Sequence, residues 1–128
     1  VLATYDKEFY NDYKDMIEIL IRDYANPTAD SEYCRFRDYD LYEGHSWAGG
    51  DADNDSGNNQ ESASESLFSW IGMYLWGVLT EQNSYRDAGI FGFTNEMETV
   101  KQYWFDYDRT TDNNGNVINS NWVSDYPY

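Results

Sequence analysis

The chain has 128 residues, room for one domain or a part of one. Asp plus Glu number 24 against 8 Lys plus Arg, a net charge of -16, so phosphate backbones and anionic lipid are repelled, and neither nucleic acid nor a membrane is expected as a partner. A single cysteine, Cys34, and a single histidine, His45, exclude an internal disulfide framework, a cysteine metal cluster and a zinc site of several imidazoles.

No apolar run approaches the roughly 20 residues of a membrane span. Aromatic residues make up 19% of the chain, which argues for a packed core over disorder. The faces of Tyr and Trp also stack on the C–H faces of sugar rings, and a neutral sugar is not repelled by an acidic protein.

The first periodic segment predicts a helix from about Asp6 to Tyr24. Phe9, Tyr13, Met16, Ile17, Leu20, Ile21 and Tyr24 recur at helical spacing, with Glu8, Asp12, Lys14, Asp15 and Glu18 on the opposite side. Asn26-Pro27 ends it, because the residue before a proline is pushed out of helical geometry. From Thr28 to Asn58 no period is sustained, and so long an irregular stretch reads as functional loop.

A second helix is predicted from Asn58 or Asn59 to about Leu79. Its apolar stripe is Leu67, Trp70, Ile71, Tyr74, Leu75 and Val78, broadened by Phe68 and Trp76. Glu81 to Ser84 turn the chain, and a third helix follows from Tyr85 or Arg86 to about Tyr103. Within it Gly89 and Gly92 either weaken the helix or mark close helix packing. Asp106 to Asn121 is dense in Asp, Asn, Thr and Gly and reads as loop. No segment carries a strong strand signal, so the class expected is all-α, helices joined by long functional loops.

Three constellations could carry chemistry. In Asn58-Asn59-Gln60-Glu61-Ser62-Ala63-Ser64-Glu65 two carboxylates stand four residues apart, which on one helix face brings their Cβ atoms within about 5–6 Å. In the first turns of a helix the positive end of its dipole favours ionised Glu61, and an ionised carboxylate can act as a base toward water. The plain alternative is a solvated first turn rich in acids.

Asp40-Leu41-Tyr42-Glu43-Gly44-His45-Ser46-Trp47-Ala48 places the lone His between a Gly and a Ser-Trp pair. It reads either as a hydrogen-bonded structural histidine or as part of a binding loop. Ser46 lacks the Gly-x-Ser-x-Gly surroundings of a hydrolase nucleophile.

Asp51, Asp53 and Asp55 alternate like the start of a calcium loop. The register then fails, with Gly57 at place seven and Ser62 at place twelve. A flexible acidic loop is the plainer reading, with a calcium site of another geometry as the alternative.

Taken in order, these blocks resemble glycoside hydrolase family 81, the endo-β-1,3-glucanases. The resemblance rests on Ile21-Arg22-Asp23-Tyr24-Ala25-Asn26-Pro27, then Asp40 with Gly44-His45-Ser46-Trp47-Ala48, then Asn59-Gln60-Glu61-Ser62-x-Ser64-Glu65, and the Leu75-Trp76-Gly77 of the second helix. It covers the chain to about Phe105-Asp106.

The resemblance implies that residues 1–128 are an internal piece of a catalytic (α/α)6 barrel, since three long helices cannot make the dozen that such a barrel needs. An upstream β-sandwich, a linking region and the remaining helices would lie outside it. It further implies inverting hydrolysis of internal β-1,3 bonds in glucans, without a cofactor. Glu61 would be the general base and Glu65 a second essential carboxylate that supports or orients the water, with Asp40, Tyr42, His45, Trp47 and Gln60 lining the sugar cleft.

Glu61 and Glu65, one turn apart, are too close to be the acid–base pair of an inverting enzyme, which needs roughly 6.5–9.5 Å between carboxyl groups. The family's acid is an Asp in a His- and Tyr-rich segment, expected upstream of Val1. Tyr10-Asn11-Asp12 imitates that segment, but Tyr13-Lys14 follows in place of histidines. The remaining partners implied are β-1,3-glucan and the rest of the same catalytic domain, and polymeric glucan implies a secreted or cell-wall setting. The rival readings are a glucan-binding or defunct fragment and, further off, an acidic calcium-binding domain.

Overall fold

The computed structural model describes residues 1–28, 30–47 and 62–120. A single turn, α1 (Leu2–Tyr5), ends at Asp6, whose extended backbone (φ -119°, ψ 104°) starts the next helix. The Asp6 carboxylate accepts from the amides of Glu8 and Phe9, at 3.0 Å each, two of the donors that a helix start leaves unpaired. Helix α2 then runs from Lys7 to Ala25.

Asn26 stops α2 as Pro27 requires, with ψ 115°. The buried Asn26 side chain organises the exit. Its oxygen accepts from the Thr28 amide and hydroxyl, and its nitrogen donates to Asp30 and to the Tyr33 carbonyl. Hydrogen bonds from Asn26 and Thr28 hold the Asp30 carboxyl far below the usual range.

In the stretch expected to be irregular, β1 (Tyr39–Asp40) and β2 (His45–Ser46) pair antiparallel, Tyr39 opposite Ser46 and Asp40 opposite His45. Two-residue strands are too short for alternation to show in a sequence. The same reason applies beyond Asp106, where loop was expected. There β3 (Thr110–Thr111) and β4 (Val117–Asn119) form a second hairpin. Its turn is built on Asp112, which accepts from Asn114 and Asn116, and on Gly115 at φ +84°.

Helix α3 spans Ala63–Leu79 and is capped by Ser62, extended at φ -147°, whose hydroxyl accepts from the Glu65 amide. The helix therefore begins after the Asn58 or Asn59 start that was expected. With Ser62 outside the helix, a one-turn spacing between Glu61 and Glu65 no longer follows from helix geometry. Helix α4 (Asn83–Tyr103) follows after three residues. In that link the Gln82 amide bonds the Gly77 carbonyl at 2.9 Å and Glu81 takes a left-handed φ of +58°, the arrangement that closes many helix C-termini.

Helices α3 and α4 pack as an antiparallel hairpin, with Trp70 opposite Gly92, Tyr74 opposite Gly89 and Gly77 opposite Arg86. A Cβ on Gly92 would land in the Trp70 indole, and one on Gly77 against the Arg86 backbone. Of the two readings of Gly89 and Gly92, close packing is the one observed.

The core is Ala25, Tyr39, Trp70, Met73, Trp76, Tyr85 and Ala88. Rings of Tyr24, Phe36 and Tyr39 surround Trp70 at 5.4, 6.2 and 5.5 Å. Helix α3 buries Ser66, Trp70, Met73, Trp76 and Gly77, a face that keeps Trp70 and Trp76 of the expected stripe and is otherwise rotated from it. Ile71, Tyr74, Leu75 and Val78 are exposed, and Phe68 is 71% exposed. Glu18 also departs from the solvated face expected of it: it accepts from the Trp76 indole (3.2 Å) and the Gln82 amide (2.6 Å). Among the described residues no helix is long and apolar enough to cross a membrane.

Candidate active site

The hairpin of β1 and β2 owes its shape to Asp40. One carboxylate oxygen accepts from the amides of Tyr42 (2.8 Å) and Glu43 (3.2 Å), and the other from the Trp47 indole at 3.3 Å. These bonds, the Glu43 and Tyr42 amides first, hold the Asp40 carboxyl below its ordinary value. Gly44 supplies the positive φ (+74°) that the turn needs, and the Thr99 hydroxyl donates to its carbonyl at 2.8 Å, fixing the hairpin to α4.

This turn lifts Tyr42, 92% exposed, to the hairpin tip and sends His45 inward, 4% exposed. His45 Nδ1 lies 2.9 Å from the Ser46 carbonyl. A carbonyl can only accept, so Nδ1 carries the hydrogen of that bond. Trp47 meets the imidazole edge-on at 4.6 Å, Trp104 at 5.6 Å and Tyr103 at 6.3 Å. Asp40, Tyr42, His45 and Trp47 are thus held by one hairpin.

Glu65 is exposed in the first turn of α3. The next residue, Ser66, ties that turn to the hairpin: its hydroxyl lies 2.8 Å from the Ser46 hydroxyl. Both meet Glu96 of α4, a fully buried side chain. The Glu96 carboxylate accepts from the Ser46 amide (3.0 Å), the Ser46 hydroxyl (3.0 Å), the Ser66 hydroxyl (2.5 Å) and the Trp70 indole (2.7 Å). From α2 the Tyr24 hydroxyl closes the group, at 2.9 Å from Ser46 and 3.3 Å from Ser66. Burial raises the Tyr24 phenol, so it keeps the proton it donates here.

Glu61, Gln60, Asp51, Asp53 and Asp55 lie outside the described residues. Among the described residues no three His, Cys, Asp or Glu side chains are grouped to hold a metal ion. Asp12 lies within α2 and is exposed.

Sequence reasoning missed Glu96, Trp104 and the site role of Ser66. A signal for Glu96 was present. Tyr85, Ala88, Gly89, Gly92 and Glu96 recur at intervals of three and four on α4, and all are buried.

A hairpin of aromatic rings and a histidine is thus set against a carboxylate-bearing helix start. The family model of the glycosyl hydrolase family 81 C-terminal domain matches residues 1–125. A glucan endo-1,3-beta-D-glucosidase of Acetivibrio thermocellus is 48% identical over 92 residues, 71% of this chain and 12% of that protein. One of the same name from Thermobifida fusca is 34% identical over 110 residues, 84% and 14% of the two.

A solved glycoside hydrolase family 81 protein of Clostridium thermocellum, with one glutamate replaced by alanine, matches with a TM-score of 0.72. The two are 42% identical, over 80% of this chain and 15% of that one. This chain belongs to glycoside hydrolase family 81. It spans only 12% and 14% of the two glucosidases.

Proposed function

We propose that the chain is the base-bearing part of an endo-β-1,3-glucanase that hydrolyses internal β-1,3-glucosidic bonds with inversion. Glu61 deprotonates the attacking water, and Glu65 supports or orients that water. The general acid is an aspartic acid from another part of the same catalytic domain, which protonates the departing oxygen from the opposite face. The 128 residues alone are therefore expected to be inactive.

The observation that carries this reading is the hairpin of Asp40, Tyr42, His45 and Trp47 fastened through Ser46 and Ser66 to the helix start that bears Glu65. Sugar rings stack on such aromatic faces; in this reading Asp40, Tyr42, Trp47 and Gln60 line the sugar cleft, with the buried His45 reaching it from within the hairpin. Completion of an (α/α)6 barrel by further helices would cover Ile71, Leu75 and Val78, which this chain leaves exposed. The curated relatives it matches are named glucan endo-1,3-beta-D-glucosidases, one of them, in Schizosaccharomyces pombe, a primary septum enzyme. A polymeric substrate outside the cell calls for a secreted or wall-associated enzyme.

The test is Glu61→Gln in the intact polypeptide that carries this chain. The amide keeps size and hydrogen bonding but loses basicity, so turnover should fall by about a thousandfold or more while glucan binding persists. Retained turnover rejects Glu61 as the base. The second reading, glucan binding without hydrolysis, draws on the exposed ring of Tyr42. It takes over if the intact polypeptide binds glucan and releases no new reducing ends.

A further inference from the structure

Glu96 is not one of the glutamates of the proposed mechanism, yet its surroundings are more fully built than those of Glu65. A buried carboxyl group is costly unless its oxygens are occupied, and an apolar side chain would suit a helix–helix contact better. At Glu96 the occupants are four hydrogen-bond donors, with no ion pair among the described residues. Three of those donors belong to the two elements that bear the proposed site. Ser46 gives its amide and its hydroxyl from the strand between His45 and Trp47. Ser66 gives its hydroxyl from the turn immediately after Glu65.

The protons are consistent with this arrangement. The Ser46 amide and the Trp70 indole can only donate. If both serine hydroxyls also donate to Glu96, their oxygens are left to accept the single proton of Tyr24, which lies 2.9 and 3.3 Å away, and the 2.8 Å approach of Ser66 to Ser46 is then bridged by the shared carboxylate and not by a proton of its own. Because Glu96 holds both the amide and the hydroxyl of Ser46, it fixes the residue whose carbonyl, in the following peptide unit, accepts from His45 Nδ1.

We propose that Glu96 is a positioning residue for the glucanase: through Ser46 and Ser66 it sets the His45 hairpin against the glutamate-bearing start of α3. Fully buried, it acts through these two serines and not on the substrate itself. The proposal rests on the reading of Glu65, His45 and Trp47 given above.

Three variants of the intact polypeptide test it, with rates referred to the folded fraction from thermal melting. Glu96→Gln keeps the shape, but its amide must face at least one of the donors, so kcat should fall by about tenfold or more. Ser66→Ala frees the start of α3 and should lower kcat by about tenfold with KM within about twofold. Ser46→Ala loosens the hairpin and should raise KM by about threefold to tenfold. A rise in KM cannot come from fewer folded molecules.

If Glu96→Gln melts lower but its folded fraction keeps the parent kcat and KM, Glu96 is only a structural bond centre and the proposal is overturned. If Glu96→Gln does not fold, the serine variants decide by the same criteria, since each leaves Glu96 with most of its donors. With an active parent and an inactive Glu61→Gln, parent values in these variants overturn the positioning role alone. A parent without β-1,3-glucan hydrolysis overturns both.

Discussion

Two parts of helix α3 are built on opposite terms. At its start, Ser66 and Trp70 enter a polar group centred on Glu96 in which donors from β2 and α3 meet the one carboxylate of α4 and a hydroxyl from α2 closes over them. Further along, Ile71, Leu75 and Val78 present apolar side chains to solvent, as Phe68 does near the start. The chain completes its polar bonding around Glu96 and leaves apolar side chains of α3 exposed. The polar group around Glu96 is thus complete within the described residues, while the apolar face of α3 has no cover among them.

The contrast can be broken from either side. The largest stability effect is expected at the junction of the two regions: Trp70→Ala removes the ring at the centre of the core and one donor to Glu96. It should cost about 3–5 kcal/mol in the intact polypeptide by chemical denaturation. Gly92→Ala forces a methyl group into the Trp70 ring, and overpacking of this kind costs about 1–3 kcal/mol.

Leu75→Asn sharpens the comparison. If the exposed face is covered by further helices, the substitution should cost about 1–3 kcal/mol in the intact polypeptide. If that face is surface in the whole protein, the change should stay within about 0.5 kcal/mol.

A smaller effect is expected at Asp40. Its carboxyl is held below its ordinary value in the folded chain, so it stabilises the hairpin above the unfolded-state value. That contribution is lost as pH falls through the folded-state value. Asp40→Asn should flatten this acid-side loss of stability in melting curves recorded from neutral to acid pH. The smallest effect is at Glu81, in the left-handed conformation at the end of α3. There Glu81→Gly should stabilise by a few tenths to about 1 kcal/mol.

Much of the helical frame was legible in the sequence. Helix α2 was visible because its apolar period is long and Asn26-Pro27 stops it. Helix α4 starts at Asn83, two residues before Tyr85. The direction of α3 was not legible. Leu67, Ile71, Leu75 and Val78 make a stronger apolar stripe than the buried Ser66, Met73 and Gly77, and the apolar period marks the face that wants cover wherever that cover comes from. The hairpins escaped because their pairing is set by Asp40, Gly44, Asp112 and Gly115 and not by alternation. Of the candidate site, the hairpin residues and Glu65 were read from motif order. Spacing on α4 marks Glu96 as buried, but its bonding could not be read, because that depends on Ser46 and Ser66, 50 and 30 residues away in the chain.

Proton NMR of the first product reports the geometry of attack on the glycosidic bond. The intact polypeptide should release the α-anomer from a β-1,3-glucan before mutarotation, and Glu61→Gln should release none. The β-anomer appearing first would contradict inversion, and with it the assignment of Glu61 as a base acting on water.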